Sequence, residues 1–178
     1  MELHDAIKKR KSLRSFNEIK SIIDKGVNIN YLNNHNENAL FIALKSEASY
    51  NIIKLLIDKG ININQVNIYG RNALMYALEY KFLNINKLKL MSHGDRFLSL
   101  DKIIKLLINT GININTVDNL QRNALFYALN VKTINNDIIK LLIHKGIDIN
   151  HTLQNNENAL FYALKNKASD DIIKLLIH

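Results

Sequence analysis

The chain repeats itself. The run Asn-Ala-Leu-Phe-Tyr-Ala-Leu at Asn123 to Leu129 is followed by Ile-Ile-Lys-Leu-Leu-Ile at Ile138 to Ile143 and then by Gly146. The opening asparagine returns as Asn38, Asn72, Asn123 and Asn158, at spacings of 34, 51 and 35 residues, and Gly26, Gly60, Gly111 and Gly146 keep the same series. A period in the mid-thirties marks a stacked array, because each unit is a supersecondary piece that cannot bury its apolar face without a neighbour. The 178 residues therefore read as a single domain, 1–178, built by adding units rather than as two globules.

Each unit reads as a pair of helices. Asn38, Asn72, Asn123 and Asn158 stand where a side-chain oxygen accepts from the free amides of a first helical turn. Leu40, Ala43 and Leu44, and then Leu74, Ala77 and Leu78, follow in the i, i+3, i+4 spacing of one buried face. The second helix, with Ile52, Ile53, Leu55, Leu56 and Ile57, is apolar around most of its circumference, as required when its own repeat and both neighbours cover it. It stops at Lys59-Gly60, where a cation meets the negative helix end and glycine takes a left-handed conformation. This pattern predicts helices near 38–46, 51–59, 72–82, 101–110, 123–130, 136–145, 158–166 and 170–177 after an N-terminal pair, and it puts Leu141 in the core.

Composition excludes several classes. The net charge of +8 would suit phosphate neutralisation, but Lys54, Lys105, Lys140 and Lys174 recur once per unit inside apolar helices, the pattern of a solvated stripe. A nucleic-acid face is therefore disfavoured. No apolar run reaches the ~18 residues of a membrane helix. Cysteine is absent and the first residues lack the apolar core of a secretory leader, so an intracellular location is expected, the cytoplasm before the nucleus. Of the six histidines only His144 and His151 come close in sequence, and there is no Gly-rich phosphate loop or nucleophile elbow. No catalytic, cofactor or metal site is expected.

At the turns the residues resemble ankyrin repeats. Asn67-Ile68-Tyr69-Gly70-Arg71-Asn72-Ala73-Leu74-Met75 is similar to the family's Asp-x-x-Gly-x-Thr-Pro-Leu-His, and the stretch Leu142 to Asn150 to its Leu-Leu-x-x-Gly-Ala-Asp-Val-Asn. Departures are systematic: Asn replaces the capping Thr, Ala replaces Pro, and Phe41, Met75, Phe126 and Phe161 replace the His that hydrogen-bonds between repeats in the family. Aromatic and thioether packing is expected in place of that polar link. The turn glycine survives only as Gly70, with Asn36, Gln121 and Asn156 at its equivalents; Gln tolerates positive φ poorly, which predicts a different turn at Gln121.

The resemblance implies an all-α ankyrin-repeat solenoid of stacked helix-turn-helix units with short hairpin-like turns. Residues 1–29 would form a degenerate N-terminal capping repeat, followed by repeats at 30–63, 64–114, 115–149 and 150–178. The long interval exceeds the first by 17 residues, an insert near 80–98 whose mixture of Tyr80, Phe82, Leu83 and Ile85 with Lys81 and Lys87 predicts ordered structure rather than a free linker. The resemblance also implies Asn150 as the best candidate for asparagine hydroxylation.

Function follows from the same resemblance, which implies a concave surface of turns and first helices that grips a protein partner. The expected molecule is a non-enzymatic, monomeric protein–protein interaction module. The alternative is the recognition or targeting segment of a larger enzyme or host-directed effector, its catalytic part outside this chain. Comparing turn tips gives an expected partner site, the alternative being that Ile68 and Leu120 pack under the hairpins and the arginines are simply solvated. The outer tips are polar, with Asn34, His35 and Glu37, and Gln154, Asn155 and Glu157. The central tips carry Ile68, Tyr69 and Arg71, then Asn119, Leu120 and Arg122, with Tyr80 and Val131 at adjoining first-helix positions. Tyrosine and arginine within a polar rim is the composition of an interface hot spot.

Overall fold

The computed structural model describes residues 2–8, 13–83, 94–130 and 136–177. Among these residues there are ten α-helices and no strand, only an isolated bridge between Thr152 and Asn158. The fold is an all-α repeat array. The chain forms two compact units, Met1–Ile68 and Tyr69–His178.

In the first unit, α1 (Glu2–Lys8) and α2 (Leu13–Asp24) precede α3 (Ala39–Lys45) and α4 (Tyr50–Asp58). First helices pack on first helices and second on second: α1 against α3, α2 against α4. Leu3, Ile7, Ile19, Leu40, Phe41, Ile53 and Leu56 fill the space between them. The second unit repeats the scheme with α5 (Ala73–Leu83), α6 (Gly94–Asn109), α7 (Ala124–Leu129), α8 (Asn136–His144), α9 (Ala159–Lys165) and α10 (Asp170–Ile177). Here α5, α7 and α9 form one row and α6, α8 and α10 the other.

Helix α6 starts ahead of the predicted boundary, so the C-terminal part of the insert is a helical extension; residues 84–93 lie outside the described residues. The expectation for Leu141 needs correction. Ile138 and Leu142, four apart, share the inward stripe of α8 and are fully buried, whereas Leu141 sits beside that stripe and is half-buried.

The four opening asparagines cap as expected. Asn38 and Asn123 Oδ1 accept from the backbone N–H two residues on, at 3.1 and 3.0 Å, while Asn72 and Asn158 accept from the N–H three residues on, both at 3.0 Å. The same side chains do more than cap. Asn38 Nδ2 donates to the Asn62 carbonyl (2.9 Å), Asn72 Nδ2 to the Asn113 carbonyl (2.9 Å), and Asn123 Nδ2 to the Asp148 carbonyl (3.1 Å). Where the family's histidine is missing, the cap three residues upstream thus supplies a polar link, from the start of the first helix to the turn that follows the second helix of the same repeat. Phe41, Met75 and Phe126 are free to be purely apolar and are at most 1% exposed.

Second helices end as predicted, with Gly60 and Gly146 at φ 81° and 82° and the following N–H of Ile61 and Ile147 reaching back to Leu56 and Leu142. Gln121 departs from expectation. Its φ of 61° matches the 60° of Asn36 and Asn156, so the turn is the same and the neighbouring side chains, described next, hold glutamine there.

Candidate functional site

Two consecutive tips of the second unit, around Gly70 and Gln121, meet through their backbones. The N–H of Asn119 donates to the Tyr69 carbonyl at 3.0 Å, joining one tip to the next. Gly70 makes this approach possible: a Cβ there would stand 2.7 Å from Asn119 Oδ1 and 3.0 Å from Asn119 N.

Asp118 anchors the second tip from below. It is 3% exposed, and its Oδ1 accepts from the backbone N–H of Leu120 (2.9 Å) and Arg122 (2.8 Å). Its Oδ2 takes Arg122 Nε (2.9 Å), Arg122 Nη2 (2.7 Å) and the Tyr127 hydroxyl (2.6 Å). Burial alone would raise this carboxyl, but the hydrogen bonds from Tyr127 and Arg122 outweigh it and hold Asp118 below the ordinary carboxylate range. Burial, and then the bond to Asp118, push the Tyr127 hydroxyl far above its ordinary value, so it remains a donor throughout the neutral range. This constellation is a brace rather than reactive chemistry. It fixes a turn containing a left-handed glutamine and leaves Leu120 outside.

The structure places the predicted site residues unevenly. Tyr69 is 54% and Leu120 62% exposed, on adjacent tips, and Asn119 is exposed between them. Arg71 pairs with Glu79 and lies with its guanidinium 5.4 Å from the Tyr69 ring centroid and 5.8 Å from that of Tyr127. Arg122 lies 4.8 Å over the Tyr127 ring. Tyr80 is half-buried, stacked on Tyr76 at 6.3 Å. Ile68 ends the first unit, exposed, with its N–H donating to the His35 carbonyl at 3.0 Å. Val131 lies outside the described residues. Sequence reasoning passed over Asp118 and Tyr127. An aspartate four residues before an arginine at a turn was the available signal, since such a side chain bonds the backbone two residues on.

Beside the tips a groove of about 230 Å³ runs along the first-helix row, lined by residues of α5, α7 and α9 and the ends of the latter two. Among the described residues no three His, Asp or Glu side chains gather into a metal-holding group, and no helix is long and apolar enough to cross a membrane.

Stacked helix pairs, capped by asparagine and joined at their tips, define a helical repeat protein. A model of ankyrin repeats in three copies matches residues 3–101 and 95–178, and the chain belongs to the ankyrin repeat family. No curated protein matches it. Ankyrin repeats are generally protein–protein interaction modules and are typically non-catalytic.

Proposed function

We propose that this chain is a non-enzymatic, monomeric module that binds a protein partner on the tips and first-helix row of its second unit. Tyr69 and Leu120 are the apolar anchors, and Arg71, Tyr80, Asn119 and Arg122 surround them. The observation that carries this reading is the exposure of Tyr69 (54%) and Leu120 (62%) on turns already held by hydrogen bonds. Apolar side chains presented on a braced turn are buried on binding with little further ordering cost.

A nucleic-acid partner fits less well. Lys54 bonds Asp58 at 2.6 Å, and Lys105 and Lys140 lie 3.9 and 3.6 Å from Asp137 and Asp171 of the following repeat. Three of the four once-per-repeat lysines thus have a carboxylate close by, which suits a phosphate track poorly.

The test is affinity of the intact chain for a partner captured from the native cell. Tyr69→Ala with Leu120→Ala is expected to weaken binding by about thirtyfold or more, at hot-spot magnitude. Lys54→Ala with Lys140→Ala should leave it nearly unchanged; equal losses would sink the proposal. Leu120 is chosen over Arg122 because removing Arg122 would strand the buried Asp118 charge.

A further inference from the structure

Two positions eight residues apart, one in the turn and one on the first helix, form an ion pair in the first two full repeats: Glu37 with Lys45, and Arg71 with Glu79. The third and fourth repeats break the rule. Opposite Arg122 stands Asn130, so the guanidinium turns back to Asp118 through Nε and Nη2 and leaves Nη1 without a hydrogen bond among the described residues. In the fourth repeat Glu157 makes no ion pair with Lys165. The lysine Nζ instead lies 5.7 and 5.9 Å from the ring centroids of Phe161 and Tyr162, with no carboxylate partner among the described residues.

Both cations line the same groove of about 230 Å³, whose apolar wall is made by Phe126, Tyr127 and Tyr162. The carboxylate in the lining, Glu79, is already held by Arg71, and Asp118 is saturated by its five donors. What remains is a side-chain-sized recess in which Lys165 has no carboxylate partner among the described residues and Arg122, its charge met by Asp118, keeps a donor to spare, while the lining's Glu79 is taken by Arg71. We propose that it receives the carboxylate of a glutamate or aspartate from an extended segment of the protein partner, an inference that rests on the protein-binding reading above. Charge-assisted hydrogen bonds from Lys165 and Arg122 supply the recognition, and the rings take the methylenes of the incoming side chain. Two cations are too few for a nucleic-acid backbone, which presents a phosphate at every nucleotide.

The test is an NMR titration of the intact chain 1–178 at physiological salt with acetyl-Phe-Glu-amide, with acetyl-Phe-Gln-amide and with a thymidine octanucleotide. The glutamate dipeptide is expected to shift resonances of Arg122, Asn130 and Lys165 at about fivefold lower concentration than the glutamine one, the upper end for an exposed ion pair. Lys165→Gln should bring the two dipeptides level while keeping a folded spectrum. Equal responses, no response, shifts elsewhere, or tighter binding of the oligonucleotide would overturn the assignment. With the captured native partner, weakening by Lys165→Gln supports the groove. Sensitivity to the tip substitutions with none to Lys165→Gln overturns the groove and leaves the tip reading standing.

Discussion

Asn123 donates its side-chain amide to the backbone carbonyl of Asp148, in the turn after the second helix of its repeat, at 3.1 Å, while its Oδ1 caps its own helix at the Leu125 N–H. Asn158 has the cap alone, with no bond from its Nδ2 among the described residues. Asn123→Ala should therefore cost about 2 kcal/mol, a cap of ~1 plus a part-buried hydrogen bond of ~1. Asn158→Ala should cost only about 1 kcal/mol. Chemical denaturation of both variants decides it: equal losses would mean the bond to Asp148 contributes nothing.

The core prediction concerns adjacent leucines. Leu142 is fully buried, so Leu142→Ala should cost about 2 to 5 kcal/mol, whereas half-buried Leu141→Ala should cost no more than about half of that. The reverse order in urea melts would mean that α8 is rotated from the position described.

Gly70 and Gly146 have similar φ, 74° and 82°, but different surroundings. A methyl group at Gly146 meets nothing within 4 Å, so Gly146→Ala should lose about 1 kcal/mol of conformational preference. At Gly70 the methyl would press on Asn119 and on the Asp118 Cα at 3.1 Å, adding about 1 to 3 kcal/mol of strain. Similar melting temperatures for the two variants would show that the tips do not pack as described.

His4 should make stability depend on pH. It is buried against the Tyr31 ring at 5.5 Å, and its pKa is lowered from 6.5 by burial first and then by nearby positive charge that includes Lys8; Asp5 and the Tyr31 backbone oppose the shift. The folded chain therefore binds fewer protons than the unfolded one just below pH 6.5. Stability is at its full value above the unfolded pKa and declines as pH falls from about 6.5 toward the lowered folded pKa. Urea midpoints measured from pH 7.5 to 5 should fall for the natural chain and be flatter for His4→Gln. Parallel curves would remove His4 as the cause.

Much of the fold was legible because period, caps and helix stops are local signals that recur in register, and Asn38, Asn72, Asn123 and Asn158 each begin a helix where the spacing puts one. What escaped was what the same side chains do across space. The cap was readable in Asn123, but its bond to Asp148 depends on how closely the turn after the second helix folds back on the first. Gln121 reads as a poor left-handed residue by propensity; buried Asp118, gathering the N–H groups on either side of it, overrides that preference. At the candidate site the exposure of Tyr69 and Leu120 followed from their place at the tips. The anchoring of Arg122 did not, since its carboxylate partner comes from the turn itself.

The most direct test is amide hydrogen exchange of the full chain with and without its captured partner. Binding on the tips predicts slowed exchange at residues 69–71 and 118–122, with the second-helix stretches around Lys105 and Lys140 unchanged. Protection confined to those second-helix stretches, with the tips exchanging as in the free chain, would contradict the account.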